Sequence, residues 1–182
     1  MKKFKQIFFS LLAALIVFIS ACGTHKTVTK TDYHNVSSSD SIKPYSKIFG
    51  TNFTGTEDKK LLDELSTWIG TPYVFGGKSK QGTDCSGMVQ SVYKTVYNIS
   101  LYRTAADIIK NCEKINKKNL QSGDLVFFKI KSNKITHIGI YLADNKFIHA
   151  SSSKGVTVND LTENYYSKYF YSGGRVKNTK QN

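Results

Sequence analysis

The 182-residue chain is short of cysteine, of acidic residues and of long apolar runs, and each shortage removes a class of protein. Its three cysteines, Cys22, Cys85 and Cys112, do not make a disulfide framework. No Cys-x-x-Cys or His-Glu-x-x-His spacing occurs, so the chain carries no familiar zinc-ligand pattern. Thirteen Asp and Glu stand against 26 Lys and Arg, a formal charge of +13. Such a surplus suits an anionic polymer or lipid surface. The lysines are scattered and no nucleic-acid signature accompanies them, which argues against nucleic acid as the partner. No internal repeat is visible.

The longest apolar run, Ile7 to Ile19, is too short for a comfortable membrane span and follows Lys2, Lys3 and Lys5. A basic start, a short apolar stretch and the small residues Ser20 and Ala21 compose an export signal. Ile19-Ser20-Ala21-Cys22 resembles a bacterial lipobox, in which cleavage after residue 21 leaves Cys22 as a lipidated N-terminus. An ordinary secretory signal needs no cysteine there, and an uncleaved anchor needs a longer apolar stretch. The expected plan is a signal peptide over 1–21, a flexible tether over 22–53, one folded domain over 54–177 and a short tail over 178–182. The tether is rich in Ser, Thr, Lys and Asn, and its His25 and His34 lack neighbours that suggest a metal site.

Within the domain, Thr54-x-x-Glu57 has the form of a capping box, and Leu61, Leu62, Leu65, Trp68 and Ile69 mark one helical face ended by Gly70 and Pro72. A glycine-bearing loop from Tyr73 to Thr83 leads into a second helix starting at about Cys85, with Cys85, Val89, Val92 and Val96 on one stripe. Thr104 caps a short third helix that carries Ala105, Ile108 and Ile109 inward, and Cys112 follows at helical spacing as a core residue. After Gly123-Asp124 the periodicity changes. Leu125–Ile130, Ile135–Leu142 and Lys146–Ser151 are expected strands, with two more around 156–158 and 169–176. Helices first and antiparallel strands second make an α+β domain.

Cys85 at the start of a helix sits where unpaired N–H groups and the helix dipole favour an anion, so its thiol is expected to ionise below the ordinary range. Two imidazoles follow, His137 and His149. If Ile140 lies opposite Ile148 across a three-residue Ala143-Asp144-Asn145 connection, Ile138, Ile140, Ile148 and Ala150 share an apolar face. His137, Gly139, Tyr141, Phe147, His149 and Ser151 then share the other face, with the two histidines diagonal neighbours at roughly 7–8 Å. A two-residue turn sends them to opposite faces. Gly139 leaves room for the rings. Cys85, His137 and His149 are therefore candidates for nucleophile, base and orienting residue.

Residues 55–177 resemble the NlpC-type family of cell-wall cysteine endopeptidases, which have a papain-like core. The resemblance rests on Gly70-Thr71-Pro72-Tyr73-Val74-Phe75-Gly76-Gly77, Asp84-Cys85-Ser86-Gly87, Gly123-Asp124-Leu125-Val126-Phe127-Phe128, His137-Ile138-Gly139-Ile140-Tyr141 and His149-Ala150-Ser151, in that order. The domain plan is similar to that of Spr-like murein endopeptidase lipoproteins. This resemblance implies N-terminal helices packed on a central antiparallel sheet, Cys85 as nucleophile, His137 as base and His149 as third polar residue. It also implies that the Tyr73 hydroxyl reaches the active site, and that Asp84 and Ser86 stand where some members bind the free amine of a stem peptide. Asp84 is equally placed to cap the Cys85 helix. Arg103 precedes a threonine, as in many members, and receives no role. The backbone N–H of Cys85 is the expected oxyanion donor. The implied substrate is peptidoglycan, cut between D-glutamate and the diamino acid or between D-alanine and the diamino acid. The implied setting is the cell envelope, with membrane attachment through lipid on Cys22 and no metal or organic cofactor. A catalytically idle wall-binding lipoprotein and an acyltransferase or amidase on the same core are the competing classes. Oligomeric state is not legible.

Overall fold

The computed structural model describes residues 38–177; the expected signal peptide over 1–21, Cys22 with the expected tether up to residue 37, and the expected tail over 178–182 lie outside them. Helix α1 (Ser38–Phe49) opens the described chain. Ile42, Tyr45 and Phe49 recur at three- and four-residue steps, so they share one helical face, and all three are buried. Each such burial stabilises the fold by about 1.5–3 kcal/mol. The stretch expected to be tether through residue 53 is therefore helical from Ser38, and its apolar stripe joins the main core. Pro44 inside the helix and the surrounding Ser and Lys conceal that stripe in the sequence.

Helix α2 (Lys59–Ser66) buries Leu61, Leu62 and Leu65, as their spacing requires. Its cap differs from the expected box: Glu57 accepts the Thr54 N–H at 3.0 Å, but the N-cap is Asp58, which accepts the Lys60 N–H at 2.9 Å. A small hairpin, β1 (Lys78–Ser79) and β2 (Gly82–Thr83), then precedes helix α3 (Cys85–Tyr97). Val89, Val92, Met88 and Tyr93 of α3 are buried, and Asn98 closes the helix in the left-handed region. Helix α4 (Ala105–Ile108) is capped by the Thr104 hydroxyl, which accepts the Asp107 N–H.

The strands are β3 (Cys112–Ile115), β4 (Leu125–Phe128), β5 (His137–Tyr141), β6 (Lys146–Ser151), β7 (Gly155–Asp160) and β8 (Phe170–Val176), with helix α5 (Asn164–Tyr169) before the last. They form one antiparallel sheet in the order β3-β8-β4-β5-β6-β7. Cys112 is buried as expected, but it opens strand β3 rather than extending a helix. Helix α3 packs on β5 and β6, and α2 packs on α3, giving the α+β, papain-like arrangement of helices against an antiparallel sheet. One sheet face contributes Leu125, Phe127, Ile138, Ile140, Ile148 and Ala150 to the main core. The opposite face carries Val126, Phe128 and Phe147, covered by Leu161 and Tyr166. Asp124 ties β4 to β8 by accepting two hydrogen bonds from Arg175, each 2.8 Å. No helix among the described residues is long and apolar enough to cross a membrane.

Candidate active site

The hairpin that carries both histidines has the register its apolar residues demand: Ile140 pairs with Ile148 and Tyr141 with Phe147. The connection holds Asp144 and Asn145 at positive φ, and Leu142 N–H donates to the Lys146 carbonyl. His137 and His149 therefore fall on the same face. Their rings meet edge to face, with His137 Nε2 2.8 Å from His149 Nδ1. Gly139 permits this closeness. A Cβ there would stand 2.7 Å from the Phe147 ring and 2.8 Å from the Ile148 carbonyl oxygen.

Pairing between β5 and β6 runs no further towards His137 than Ile140–Ile148. Alternation turns the Ile138 N–H to the same side as that of Leu142, where β6 no longer supplies a carbonyl. It faces the sulfur of Cys85 instead, where it favours the thiolate. Cys85 is the first residue of α3, and the N–H groups of Cys85 and Ser86 also face its sulfur. The thiol thus lines the same cleft as His137 and His149. His137 Nε2 is engaged by His149, which leaves Nδ1 as its remaining nitrogen.

Asp84 fixes the helix start. Its Oδ1 accepts from the Gly87 N–H at 2.6 Å and the Ser86 hydroxyl at 3.0 Å. Its Oδ2 accepts from the Gly76 N–H at 2.9 Å and from Arg103 at 2.6 Å. A second Arg103 nitrogen donates to the Ser86 hydroxyl at 2.8 Å. Every oxygen of Asp84 is occupied, and burial of the carboxylate is offset by Arg103, so its carboxyl stays below the usual range. Arg103, to which the sequence gives no role, is the partner of Asp84 and Ser86.

Two clefts of about 400 Å³ each meet at Tyr73, Cys85 and Thr136. One runs past His137 and His149 to Ser151 and Ser153, and the other past Arg103, Phe75 and Ile135. Phe75 is 90% exposed on the rim of the second. Tyr73 is half-buried, and burial together with the nearby Cys85 and Asp84 raises its phenol.

Burial dominates the charges at the centre. It pushes the Cys85 thiol up to about 11, with Asp84 adding to the shift, against the lowering by the Ile138, Ser86 and Cys85 N–H groups. This reverses the expectation from helix position alone: desolvation of the thiolate outweighs the helix start. Burial, with His149 beside it, lowers His137 to about 3. The resting pair is therefore neutral thiol and neutral imidazole across the physiological range. Thiolate absorbance, taken as wild type minus Cys85→Ala, is expected to be absent at pH 7 and to emerge only towards pH 11. A full thiolate signal at pH 6 would contradict a resting neutral pair.

Sequence reasoning missed the layer beyond the histidines. Strand β7 places Asn159 opposite Phe147, diagonal to His149, and His149 Nε2 lies 3.0 Å from Asn159 Oδ1 and 3.1 Å from the Tyr166 hydroxyl. Phe147 stacks on the His149 ring at 5.0 Å. Burial lowers His149, while Asn159 and the charge of Glu163 act the other way.

Comparison with known proteins finds that residues 70–175 match the model of the NlpC/P60 family. A probable endopeptidase NlpC homolog from Haemophilus influenzae is 40% identical over 65% of this chain and 63% of its own length, so the match spans under two thirds of that relative. The murein DD-endopeptidase MepS/murein LD-carboxypeptidase of Escherichia coli is 32% identical over 90% of this chain and 88% of its own. A crystal structure from Staphylococcus aureus, described as similar to a lipoprotein of the NLP/P60 family, superposes with a TM-score of 0.59. It is 37% identical, with 69% of this chain and 45% of that one covered.

Proposed function

The chain belongs to the NlpC/P60 family of cysteine peptidases, and from that membership and the cleft geometry we propose a peptidoglycan endopeptidase that works through Cys85, His137 and His149. The observation that carries this is one cleft lined by Cys85, His137 and His149, in which the Nε2 of His137 is already held by the second histidine. A stem peptide lies across the two clefts with its scissile amide over the sulfur. His137 Nδ1 takes the thiol proton as sulfur attacks the carbonyl carbon. The carbonyl oxygen becomes an oxyanion facing the Cys85 N–H, which the helix start leaves unpaired. Collapse breaks the C–N bond, and the amine leaves with the proton from His137. A thioester on Cys85 remains. His137 then takes a proton from water, the resulting hydroxide attacks the thioester, and the new carboxylate departs as the thiol is restored.

His149 holds the His137 ring, and the phenol of Tyr73 stands at the meeting of the clefts. Asp84 and Ser86 act through Arg103, which they hold on the cleft wall; a free stem amine entering there must compete with that guanidinium. The substrate bond is an amide to the diamino acid, from D-glutamate within a stem or from D-alanine across a crosslink. The E. coli relative, named as a DD-endopeptidase and LD-carboxypeptidase, supports this substrate class. Lipidation at Cys22 would keep the enzyme at a membrane of the cell envelope, and the description of the S. aureus relative as similar to a lipoprotein supports that placement.

Purified full chain incubated with defined muropeptides, monomeric and crosslinked, tests the proposal by mass spectrometry of the products. Wild type is expected to release a new amine and a new carboxylate from one linkage, and Cys85→Ala to release neither. Acyl transfer without hydrolysis, or a folded wild type inert on all stems and crosslinks, would overturn it.

A further inference from the structure

Asn159 and Glu163 stand outside the reacting groups, yet their hydrogen bonds decide where the imidazole protons lie. We infer that Glu163, by orienting the Asn159 amide, sets the tautomers of both histidines and so keeps the Nδ1 lone pair of His137 free for the Cys85 proton. The inference rests on the assignment of His137 as base.

The chain of constraint starts at an exposed carboxylate. Asn159 Nδ2 donates to both oxygens of Glu163, at 3.0 and 3.1 Å. The Asp160 N–H donates to the same carboxylate at 2.9 Å, pinning it in place. A carboxylate only accepts, so the amide must turn its NH₂ group towards Glu163 and its oxygen towards His149. Asn159 Oδ1 then sits 3.0 Å from His149 Nε2. An amide oxygen cannot donate, so His149 Nε2 carries the proton. The Tyr166 hydroxyl agrees with this: it donates to Asn159 Oδ1 at 3.5 Å and turns its lone pair to the same N–H at 3.1 Å. Neutral His149 is left with a bare Nδ1. At 2.8 Å from it, His137 Nε2 must be the donor, and neutral His137 is left with a bare Nδ1.

Turning the Asn159 amide over reverses every step. Its NH₂ would face His149 Nε2, which would have to accept. His149 Nδ1 would then donate to His137 Nε2, and the proton of His137 would move to Nδ1. A base with its proton on the reacting nitrogen cannot take another from the thiol. Surface residue Glu163 thus acts as a positioning residue through two side chains, and its charge also works against the lowering of His149 by burial.

Three forms of the full chain test this: wild type, Glu163→Met, which removes the acceptor at similar length, and Glu163→Gln, whose amide oxygen can still receive Asn159. Imidazole ¹⁵N spectra of the wild type at pH 7 are expected to show His137 and His149 both protonated on Nε2 and bare on Nδ1. Glu163→Met is expected to lose about tenfold to a hundredfold in kcat with KM unchanged, the range seen when a partner behind a functional histidine is removed. Glu163→Gln should restore kcat to within about threefold of wild type, since removing an exposed charge alone has a small effect. Thermal melting verifies that each variant is folded. Either wild-type ring protonated on Nδ1 overturns the inference, as does a folded Glu163→Met variant with wild-type kcat. Cleavage that survives in Cys85→Ala would instead strike the peptidase assignment, while the ¹⁵N tautomers report on the relay alone.

Discussion

Replacing His137 with alanine is expected to lower kcat by about a thousandfold to ten-thousandfold at pH 7, near the upper end of what general bases contribute. The reason lies in the thiol rather than in the imidazole. Cys85 is held up to about 11, so at pH 7 only about one molecule in ten thousand carries the thiolate unaided. In the proposed mechanism His137 removes the proton as the sulfur attacks; without it, cleavage would run only through that small ionised fraction. The loss corresponds to about 4–5 kcal/mol of barrier. The variant also has a signature in pH. Its residual rate should climb about tenfold per pH unit until Cys85 itself ionises near pH 11. Wild type differs in sign and range: His137 is lowered to about 3, so the base is already free well below neutrality and needs no alkaline activation. A His137→Ala rate that is flat between pH 6 and 9 would contradict this account. So would a loss of less than about tenfold, since a general base ordinarily contributes more.

Gly87→Ala is expected to be the most destabilising single substitution in the motif that carries the proposed nucleophile. A Cβ at residue 87 would lie 2.0 Å from the Gly77 carbonyl oxygen and 3.1 Å from Asp84 Oδ1. The first of these is backbone, and it cannot swing aside. The Gly77 carbonyl also accepts the Asp84 N–H, so moving it loosens the cap that seats Cys85. Overpacking of this kind costs about 3 kcal/mol or more. At about 2–4 °C per kcal/mol for a domain of this size, the melting temperature should fall by about 10 °C. Cleavage should fall further than the folded fraction, because the helix start and the loop bearing Tyr73 shift together. Gly76→Ala is the control. No atom lies within 4 Å of a Cβ there, and only its φ of +79° penalises a side chain, by about 1–2 kcal/mol. Equal melting temperatures for the two variants would remove the steric explanation for the Asp-Cys-Ser-Gly motif.

The parts of this molecule that were legible in the sequence are those where one periodicity decides between two discrete outcomes. The β5–β6 hairpin is the clearest case. Ile138, Ile140, Ile148 and Ala150 tolerate only the register that buries them, and the same parity forces His137 and His149 together. Helix α3 was legible for a similar reason, since Val89 and Val92 mark its buried side. Helix α1 was hidden because its stripe has only Ile42, Tyr45 and Phe49, is interrupted by Pro44 and is set among polar residues. Strand β3 offered Glu113 and Lys114 where an alternating pattern would need an apolar residue, so Cys112 attached itself to the preceding helical spacing. Asn159, Glu163 and Tyr166 had no signal at all. Polar residues near a strand end look like a turn until β7 pairs with β6 and brings Asn159 diagonal to His149. The direction of the Cys85 shift was likewise out of reach. Helix position can be read from sequence, but the desolvation that overrides it depends on how β5, α3 and the Tyr73 loop close around the sulfur.

The sharpest trial of the mechanism is the mass of the enzyme itself, measured on wild type quenched in acid during turnover of a crosslinked muropeptide. An acyl group derived from the substrate, located on Cys85 by peptide mapping and released by hydroxylamine, is the expected result. An unmodified Cys85 under conditions where wild type is visibly cleaving, with cleavage persisting in Cys85→Ala, would show that the bond is broken without this thiol.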